Sequence, residues 1–216
     1  MTDDDQTSGQ EGAEPNSHRR PGRPRHAGPS KEFLARRAEI IGTAAEIFQT
    51  SGYEVSLDVI ADSLQLRKAS VYYYVHSKAE LLFLVFDQAI TQALDHLDAL
   101  ALSGSARDRL SALVRHQVQM ISSDRRMFSV FFDHRPELRP EYETQLREKE
   151  RRYLQAFSDA VETAIAEGVL PPMDARYAGQ ALLGMTSWVY KWFDTTRDDA
   201  STFADTAVSL ITRGTR

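Results

Sequence analysis

A short segment at residues 68–75 concentrates side chains that can recognise nucleic acid. Val71 and Val75 are four residues apart, so on a helix they share one face, which we expect to be buried. The opposite face then carries the polar and aromatic side chains Lys68, Ala69, Ser70, Tyr72 and Tyr73. Ammonium and phenol groups suit phosphate oxygens and base edges in a major groove. The segment therefore predicts DNA binding, the alternative being a generic helical bundle with exposed tyrosines.

Groups suited to catalysis or to metal binding are not gathered anywhere in this sequence. The histidines are dispersed, there is no cysteine, and there is no glycine-rich phosphate loop. The adjacent pair Asp133 and His134 is better explained as a helix-end feature than as a catalytic dyad. Acidic and basic residues alternate at 147–152, as is typical of a solvated helix face. We therefore predict no enzymatic activity, no cofactor and no metal site.

Three predicted helices position the recognition segment. The first runs from about Phe33, has a helical apolar period, and ends at Gly52, a suitable C-cap. The second starts at the N-cap Ser56, and a tight turn joins it to the third, at 68–75. Two short helices behind a supporting helix form a helix-turn-helix arrangement. Residues 77–80 read as a capping box that opens a fourth helix, extending to about Leu102.

Residues 36–82 resemble the DNA-binding domain of the TetR family of transcriptional regulators. The resemblance lies in residues 56–63, a serine-started helix with Ile-Ala, and in residues 68–82, with Val-Tyr-Tyr-Tyr-Val-His-Ser-Lys and Leu-Leu. It implies phosphate contacts from Tyr72 and Lys78, and base contacts from Lys68, Ala69 and Tyr73. Two residues depart from the family pattern. Gln65 replaces the usual turn glycine and must accept a positive φ or alter the turn, and Val75 replaces a phenylalanine.

The rest of the chain also has helical periodicity, over about 106–123, 127–132, 140–167, 174–194 and 203–211. We predict an all-α fold, with an N-terminal three-helix helix-turn-helix domain at 31–82. A helical ligand-binding and dimerisation bundle follows at 83–216.

Residues 1–30 are predicted to be disordered, because they are almost devoid of large apolar side chains. Residues 1–16 are acidic, and arginines and prolines follow them. Arg23 and Arg25 suit a narrow minor groove, although a solvated linker would have the same composition. The polar start is not a secretory signal, and no apolar run reaches membrane length, so we expect a cytoplasmic protein.

The helix predicted at 174–194 is apolar on more than one side, which indicates burial on several faces. By resemblance, TetR proteins dimerise through their last two helices, and a symmetric operator requires a dimer. The residues predicted for a homodimer interface are Leu182, Met185, Val189, Trp192, Phe203, Ala207 and Leu210.

Aromatic and sulfur-containing side chains of the C-terminal helices predict a pocket for a long apolar ligand, with ordinary core packing as the alternative. The predicted lining is Arg115, His116, Met120, Phe128, Phe132, Tyr153, Phe157 and Trp188. Residues 184–193 and the aromatics at 128–132 look like the TetR branch that responds to acyl-CoA. That resemblance implies CoA phosphate contacts from Arg115, Arg152 or Lys191.

These features predict a transcriptional regulator, by default a repressor, that a small apolar ligand such as an acyl-CoA releases from double-stranded DNA. Two alternatives remain open. One is a regulator of drug efflux that senses other apolar compounds. The other is a sequence-tolerant architectural DNA-binding protein, which would bind unrelated duplexes with similar affinity.

Overall fold

A computed structural model describes residues 28–100 and 104–212 of the chain. All regular elements in these residues are helices, which confirms the predicted all-α class. The helices are α1 (Lys31–Ser51), α2 (Leu57–Ser63), α3 (Lys68–Tyr74), α4 (Lys78–Ala99), α5 (Ala106–Ser123), α6 (Arg125–His134), α7 (Pro140–Ala166), α8 (Ala175–Ser187), α9 (Val189–Trp192) and α10 (Ala200–Thr212). None of the described helices is long and apolar enough to cross a membrane. Arg23 and Arg25 lie outside the described residues.

Two buried clusters form the core. The first packs α1, α2 and α3 against the start of α4, with Ile40, Phe48 and Val71 fully buried. It also takes Met127 and Val130 from α6. The second cluster joins the end of α4 to α5, α7, α8 and α10. Because α4 contributes to both clusters and α6 packs on α1, these two helices connect the helix-turn-helix to the C-terminal bundle.

The start of α4 departs from the predicted capping box. Ser77 Oγ accepts a hydrogen bond from Glu80 N at 3.0 Å, as the pattern requires. In a capping box the Glu80 carboxylate would accept a hydrogen bond from the backbone N–H of Ser77. Here it accepts instead from the backbone N–H of His76, at 2.7 Å. At α2, Ser56 occupies the N-cap position, but its side chain makes no capping hydrogen bond.

The predicted helix at 174–194 is interrupted at Trp188, where α8 gives way to the single turn of α9. Thr186 Oγ1 donates hydrogen bonds to the carbonyls of Leu182 and Leu183, at 2.8 and 3.2 Å. Such bonding to the preceding turn bends helices. The bond from Trp188 N to Gly184 O is correspondingly long, at 3.4 Å. The break changes the direction of the aromatic residues that follow it.

The turn between α2 and α3 contains Gln65 with φ of 55°, which is the positive φ expected where the usual glycine is absent. A residue with a Cβ is strained in this region by about 1–2 kcal/mol. We expect Gln65→Gly to raise stability by up to about 1 kcal/mol, since the greater entropy loss of glycine offsets part of the relief. Thermal unfolding measures this change. Gln145→Gly, on the exposed face of α7, is the control and should lower folding stability. A similar loss of stability in Gln65→Gly would show that the backbone at Gln65 is not strained.

Candidate DNA-binding face and effector cavity

The outer face of α3 carries the predicted recognition residues. Tyr73 is 69% exposed and Tyr72 is 43% exposed, while Val71 and Val75 are fully buried as predicted. Lys68 and Ala69 are exposed and Ser70 is half-buried, so the structure places these side chains as the sequence predicted. No nucleic acid accompanies the chain, and their contacts with DNA remain predictions.

Lys68 forms an exposed ion pair that the sequence did not reveal. Its Nζ lies 2.8 Å from Asp58 Oδ2 on α2. The hydrogen bond and the charge of Asp58 raise the pKa of Lys68, so the ammonium stays protonated. An exposed ion pair of this kind contributes little to folding stability. Breaking it to let the ammonium bind a phosphate would therefore cost little free energy.

Lys78 does not point freely into solvent from the start of α4. Its Nζ lies 4.1 Å from the ring centroid of Tyr53, within the range of a cation–π interaction. Burial raises the pKa of Tyr53 to about 12, and the charges of Glu137 and Glu54 add to the effect. The phenol is therefore neutral near pH 7, and the contact with its ring positions the ammonium of Lys78.

Arg37 of α1 forms hydrogen bonds at the C-terminal end of α3 and with Glu80 of α4. Arg37 Nε donates to the carbonyl of Tyr74 at 3.2 Å, and Arg37 Nη2 donates to Glu80 Oε1 at 3.1 Å. Glu80 is itself nearly buried. Sequence reasoning assigned Glu80 to a capping box and had no signal for its partner, because Arg37 lies more than 40 residues away.

A cavity of about 410 Å³ lies among α4, α5, α6, α7 and α8. Four of the residues predicted to bind ligand line it: Met120, Phe128, Phe132 and Tyr153. Phe131, one of the aromatics at 128–132, lines it as well, and the lining also includes side chains that were not predicted, namely Phe86, Ile90 and Leu183. The cavity is therefore mainly apolar and aromatic, as expected for a ligand pocket.

The remaining predicted ligand residues lie elsewhere. Phe157 is fully buried in the second core cluster, and Trp188 is 60% exposed instead of facing the bundle. Arg115 pairs with Asp205 of α10 at 3.4 Å, and His116 packs near His96 with ring centroids 6.2 Å apart. None of the four lines the cavity. On α5 the cavity is lined by Gln117 and Met120, so Arg115 and His116 were placed on the wrong face of that helix.

The polar groups inside the cavity are neutral or paired. Tyr153 OH donates to Gln117 Oε1 at 2.7 Å, and burial raises the pKa of Tyr153, so the phenol keeps its proton. Arg135 binds Glu143 at 3.0 Å and Glu150 at 2.8 Å. The hydrogen bond to Glu150 is the largest cause of the raised pKa of Arg135. Arg135 is thus occupied by carboxylates and is not free to bind an anionic ligand.

His116 makes the stability of the chain dependent on pH. Burial lowers its pKa from 6.5, the positive charge of His96 adds to the effect, and its buried Nε2 has no partner in the described residues. The unfolded chain therefore takes up a proton more readily than the folded one. We expect stability to fall as the pH drops below about 6.5 and the slope to be smaller in His116→Gln, measured by denaturant unfolding. An unchanged slope would contradict this assignment.

The predicted dimer residues divide between the core and the surface. Leu182, Val189 and Ala207 are buried within the chain, which corrects their assignment to an interface. Met185 and Phe203 are half-buried. Trp192 and Leu210 are exposed. The exposed apolar residues Tyr177 and Trp188, on the other side of α8, were not predicted.

One group of side chains in the described residues has the composition of a metal site. Single ligand atoms of Glu54, His134 and Glu137 lie within 4.8 Å of one another. Both carboxylates are exposed, and His134 Nδ1 is 2.7 Å from Glu137 Oε1, so the histidine already has a hydrogen-bond partner. Sequence reasoning did not identify this group, because Glu54 precedes α2 and the other two residues lie at the end of α6 and just beyond it.

Comparisons of sequence give two family matches. Residues 40–85 match the family described as bacterial regulatory proteins, tetR family. Residues 103–215 match the tetracyclin repressor-like C-terminal domain. No match was found among curated proteins.

Solved structures share the fold over most of the chain. A TetR/AcrR-family regulator from Thermobifida fusca YX-ER1 is 32% identical, with a TM-score of 0.69, covering 84% of this chain and 99% of that one. A tetR-family protein from Rhodococcus RHA1 is 25% identical, with a TM-score of 0.74 and coverages of 87% and 98%. AibR, crystallised with isovaleryl coenzyme A and operator DNA, is 24% identical, with a TM-score of 0.72 and coverages of 82% and 98%.

Proposed function

Since the chain belongs to the TetR family of bacterial transcriptional regulators, we propose that it is a homodimeric repressor released from a palindromic operator by a small apolar ligand. The observation that carries this proposal is the 410 Å³ apolar cavity, which is lined by both helices that connect to the helix-turn-helix. A ligand in this cavity touches α4 and α6 directly. It can therefore favour one arrangement of the DNA-binding helices over another.

Two routes support coupling between the cavity and DNA. Helix α4 begins at Lys78, beside the recognition helix, and lines the cavity from Phe86 to His96. Helix α6 lines it with Phe128, and its N-cap Asp124 accepts a hydrogen bond from Gln49 of α1. Coupling of about 1–3 kcal/mol is common for such a system and corresponds to roughly 5- to 150-fold weaker operator binding.

The proposed dimer uses α8, α9 and α10, with a different face of α8 from the one predicted. Tyr177, Ala181, Gly184 and Trp188 recur at helical spacing and are all exposed, and Trp192 of α9 follows them. Leu210 adds an exposed apolar side chain on the neighbouring α10. A contiguous apolar surface of this kind marks a protein interface. A two-fold dimer would present two recognition helices to the two half-sites of a palindrome.

An acyl-CoA is the proposed effector. The aromatic cavity suits an acyl chain, and the fold neighbour AibR was crystallised with isovaleryl coenzyme A. Of the residues implied for the CoA phosphates, Arg115 is paired with Asp205 and Lys191 lies 3.5 Å from Asp133. Arg152 is exposed on α7 and does not line the cavity. The contacts of these three residues with CoA phosphates stay predictions.

The test combines operator selection with ligand release. An operator is selected from a random duplex pool, and acyl-CoAs, free fatty acids and cationic drugs are titrated against the complex. We expect a palindrome to be selected and acyl-CoAs to release it. Release by cationic drugs alone would indicate a regulator of drug efflux. Similar binding to unrelated duplexes, with no palindrome selected, would favour an architectural protein and overturn the proposal.

A further inference from the structure

A polar recess of about 500 Å³ lies next to the apolar cavity, at the N-terminal end of α6. Its lining includes Ser122, Ser123, Asp124, Arg125, Arg126 and Ser129. We propose that this recess binds the phosphate-bearing head of an amphiphilic effector whose apolar part occupies the cavity. The proposal rests on the proposed function and assigns part of the effector to residues that neither the sequence nor the comparisons had indicated.

The recess and the cavity are adjacent. Ser123 and Asp124 line both of them, and the proposed ligand extends past these two residues from the aromatic interior to the polar recess. The two compartments differ in character: the cavity is walled mainly by aromatic and aliphatic side chains, and the recess by hydroxyl, guanidinium and amide groups. This division matches a ligand with a long apolar part and a large polar part.

The two arginines give the recess a net positive charge. Neither Arg125 nor Arg126 forms an ion pair with any carboxylate in the described residues, in contrast to Arg135 inside the cavity. Arg125 Nε donates to the carbonyl of Tyr190 at 3.1 Å and Nη2 to that of Lys191 at 3.4 Å. These bonds orient the guanidinium and leave its Nη1 free for a ligand. Guanidinium groups bind phosphates through paired, charge-assisted hydrogen bonds.

The single acidic side chain of the recess is already engaged. Asp124 Oδ1 caps α6 by accepting from Met127 N at 3.3 Å, and it also accepts from Gln49 Nε2. Two arginines therefore outweigh one carboxylate. The three serine hydroxyls of the recess already donate to Gln119 O, Met120 O and Asp133 Oδ2, so the arginines are its main donors. A lone fatty-acid carboxylate would fill little of a 500 Å³ recess, whereas a head group with several phosphates would use both arginines.

The position of Gln49 connects this head group to DNA binding. Gln49 lies on α1 and lines the recess beside Asp124. A phosphate there competes with Asp124 for the amide of Gln49 and brings a like charge towards the carboxylate. Binding of the head would thus weaken the contact that joins α1 to α6, and the apolar part alone would not.

The experiment compares ligands that share one acyl chain, by calorimetry on the full chain. The probes are decanoyl-CoA, decanoyl-pantetheine without phosphates, a decanoyl lysophosphatidic acid, and decyltrimethylammonium. We expect decanoyl-CoA to bind at least about 10-fold more tightly than decanoyl-pantetheine, as one good charge-assisted contact provides. The lysophosphatidic acid separates the two sources of phosphate: tight binding by it alone assigns the recess to a lipid head group, and binding by CoA alone assigns it to a CoA thioester. Either outcome supports the proposal.

Arg126→Gln should weaken decanoyl-CoA binding by about 10-fold and leave decanoyl-pantetheine unchanged. The matched control is Arg151→Gln, an exposed arginine on α7 outside both compartments, which should change neither. Operator affinity without ligand, measured on each variant, shows that the fold is kept. The inference would be overturned if neither decanoyl-CoA nor the lysophosphatidic acid bound more tightly than decanoyl-pantetheine. It would also be overturned if Arg126→Gln did not weaken the phosphate ligand that binds tightly, or if decyltrimethylammonium bound best. If decanoyl-pantetheine releases the operator and binds as tightly as the phosphate-bearing probes, only the recess assignment fails; if no probe releases the operator, the proposed function fails as well.

Discussion

We expect the double substitution Trp188→Arg with Leu210→Arg to make the chain monomeric and to lower operator affinity by at least about 100-fold. Trp188 is 60% exposed and Leu210 is 66% exposed, on neighbouring helices of the proposed interface. Buried tryptophans at interfaces commonly contribute about 2–4 kcal/mol, and an arginine in their place leaves an unpaired charge in the contact. Sedimentation velocity gives the oligomeric state, and titration of the selected operator gives the affinity.

Two control variants make this result specific. Leu34→Arg places the same charge on another exposed leucine, on α1, and should leave the dimer intact. Leu182→Ala tests the interface residue predicted from the sequence. Because Leu182 is fully buried, this substitution should cost about 2–5 kcal/mol of folding stability while the folded fraction remains dimeric. A dimer that survives the double arginine variant would show that another surface forms the interface.

We expect the replacement of Tyr73 by alanine to lower operator affinity by about 10- to 100-fold and to leave the dimer unchanged. Tyr73 is the most exposed aromatic side chain in the described residues, and its ring packs only at its edge, 5.6 Å from Phe33 and 5.1 Å from Tyr74. The loss should be concentrated on one or two base positions of the half-site, since a base contact carries sequence information and a phosphate contact does not. Binding to operators with single substitutions measures this.

Tyr73→Phe separates the hydroxyl group from the ring. If the hydroxyl makes the base contact, the phenylalanine variant should lose nearly as much affinity as the alanine variant. If the ring packs against a thymine methyl, phenylalanine should restore most of it. Full affinity in Tyr73→Ala would mean that this face of α3 does not enter the groove.

The helix-turn-helix was predictable because its signals are local. Val71 and Val75 are four residues apart, and both are buried. The strained turn at Gln65 followed from one missing glycine, and its φ of 55° agrees. Gly52 ends α1 at the predicted position. In each case, residues within one or two helical turns determine the outcome.

The orientation of α8 was not predictable in the same way. Its sequence is apolar on both sides, so periodicity alone could not decide which side faces the chain and which side faces outward. Packing settles it: Gly179 contacts the backbone of Ser158 on α7, where an added Cβ would approach to 3.0 Å. This close contact buries Leu182 and turns Trp188 to the surface. The interaction between Arg37 and Glu80 and the polar recess also depend on residues far apart in sequence.

The attachment of α3 to α1 has a consequence for the kinetics of association. A seven-residue helix is too short to persist alone in water, yet here buried valines on one face and the Arg37 bond to the last carbonyl hold it. Helix α3 is therefore already folded before the protein meets DNA. No folding step separates the collision with the duplex from binding. The observed rate should rise linearly with duplex concentration and respond to ionic strength through electrostatic steering, without the plateau that a rate-limiting ordering step imposes.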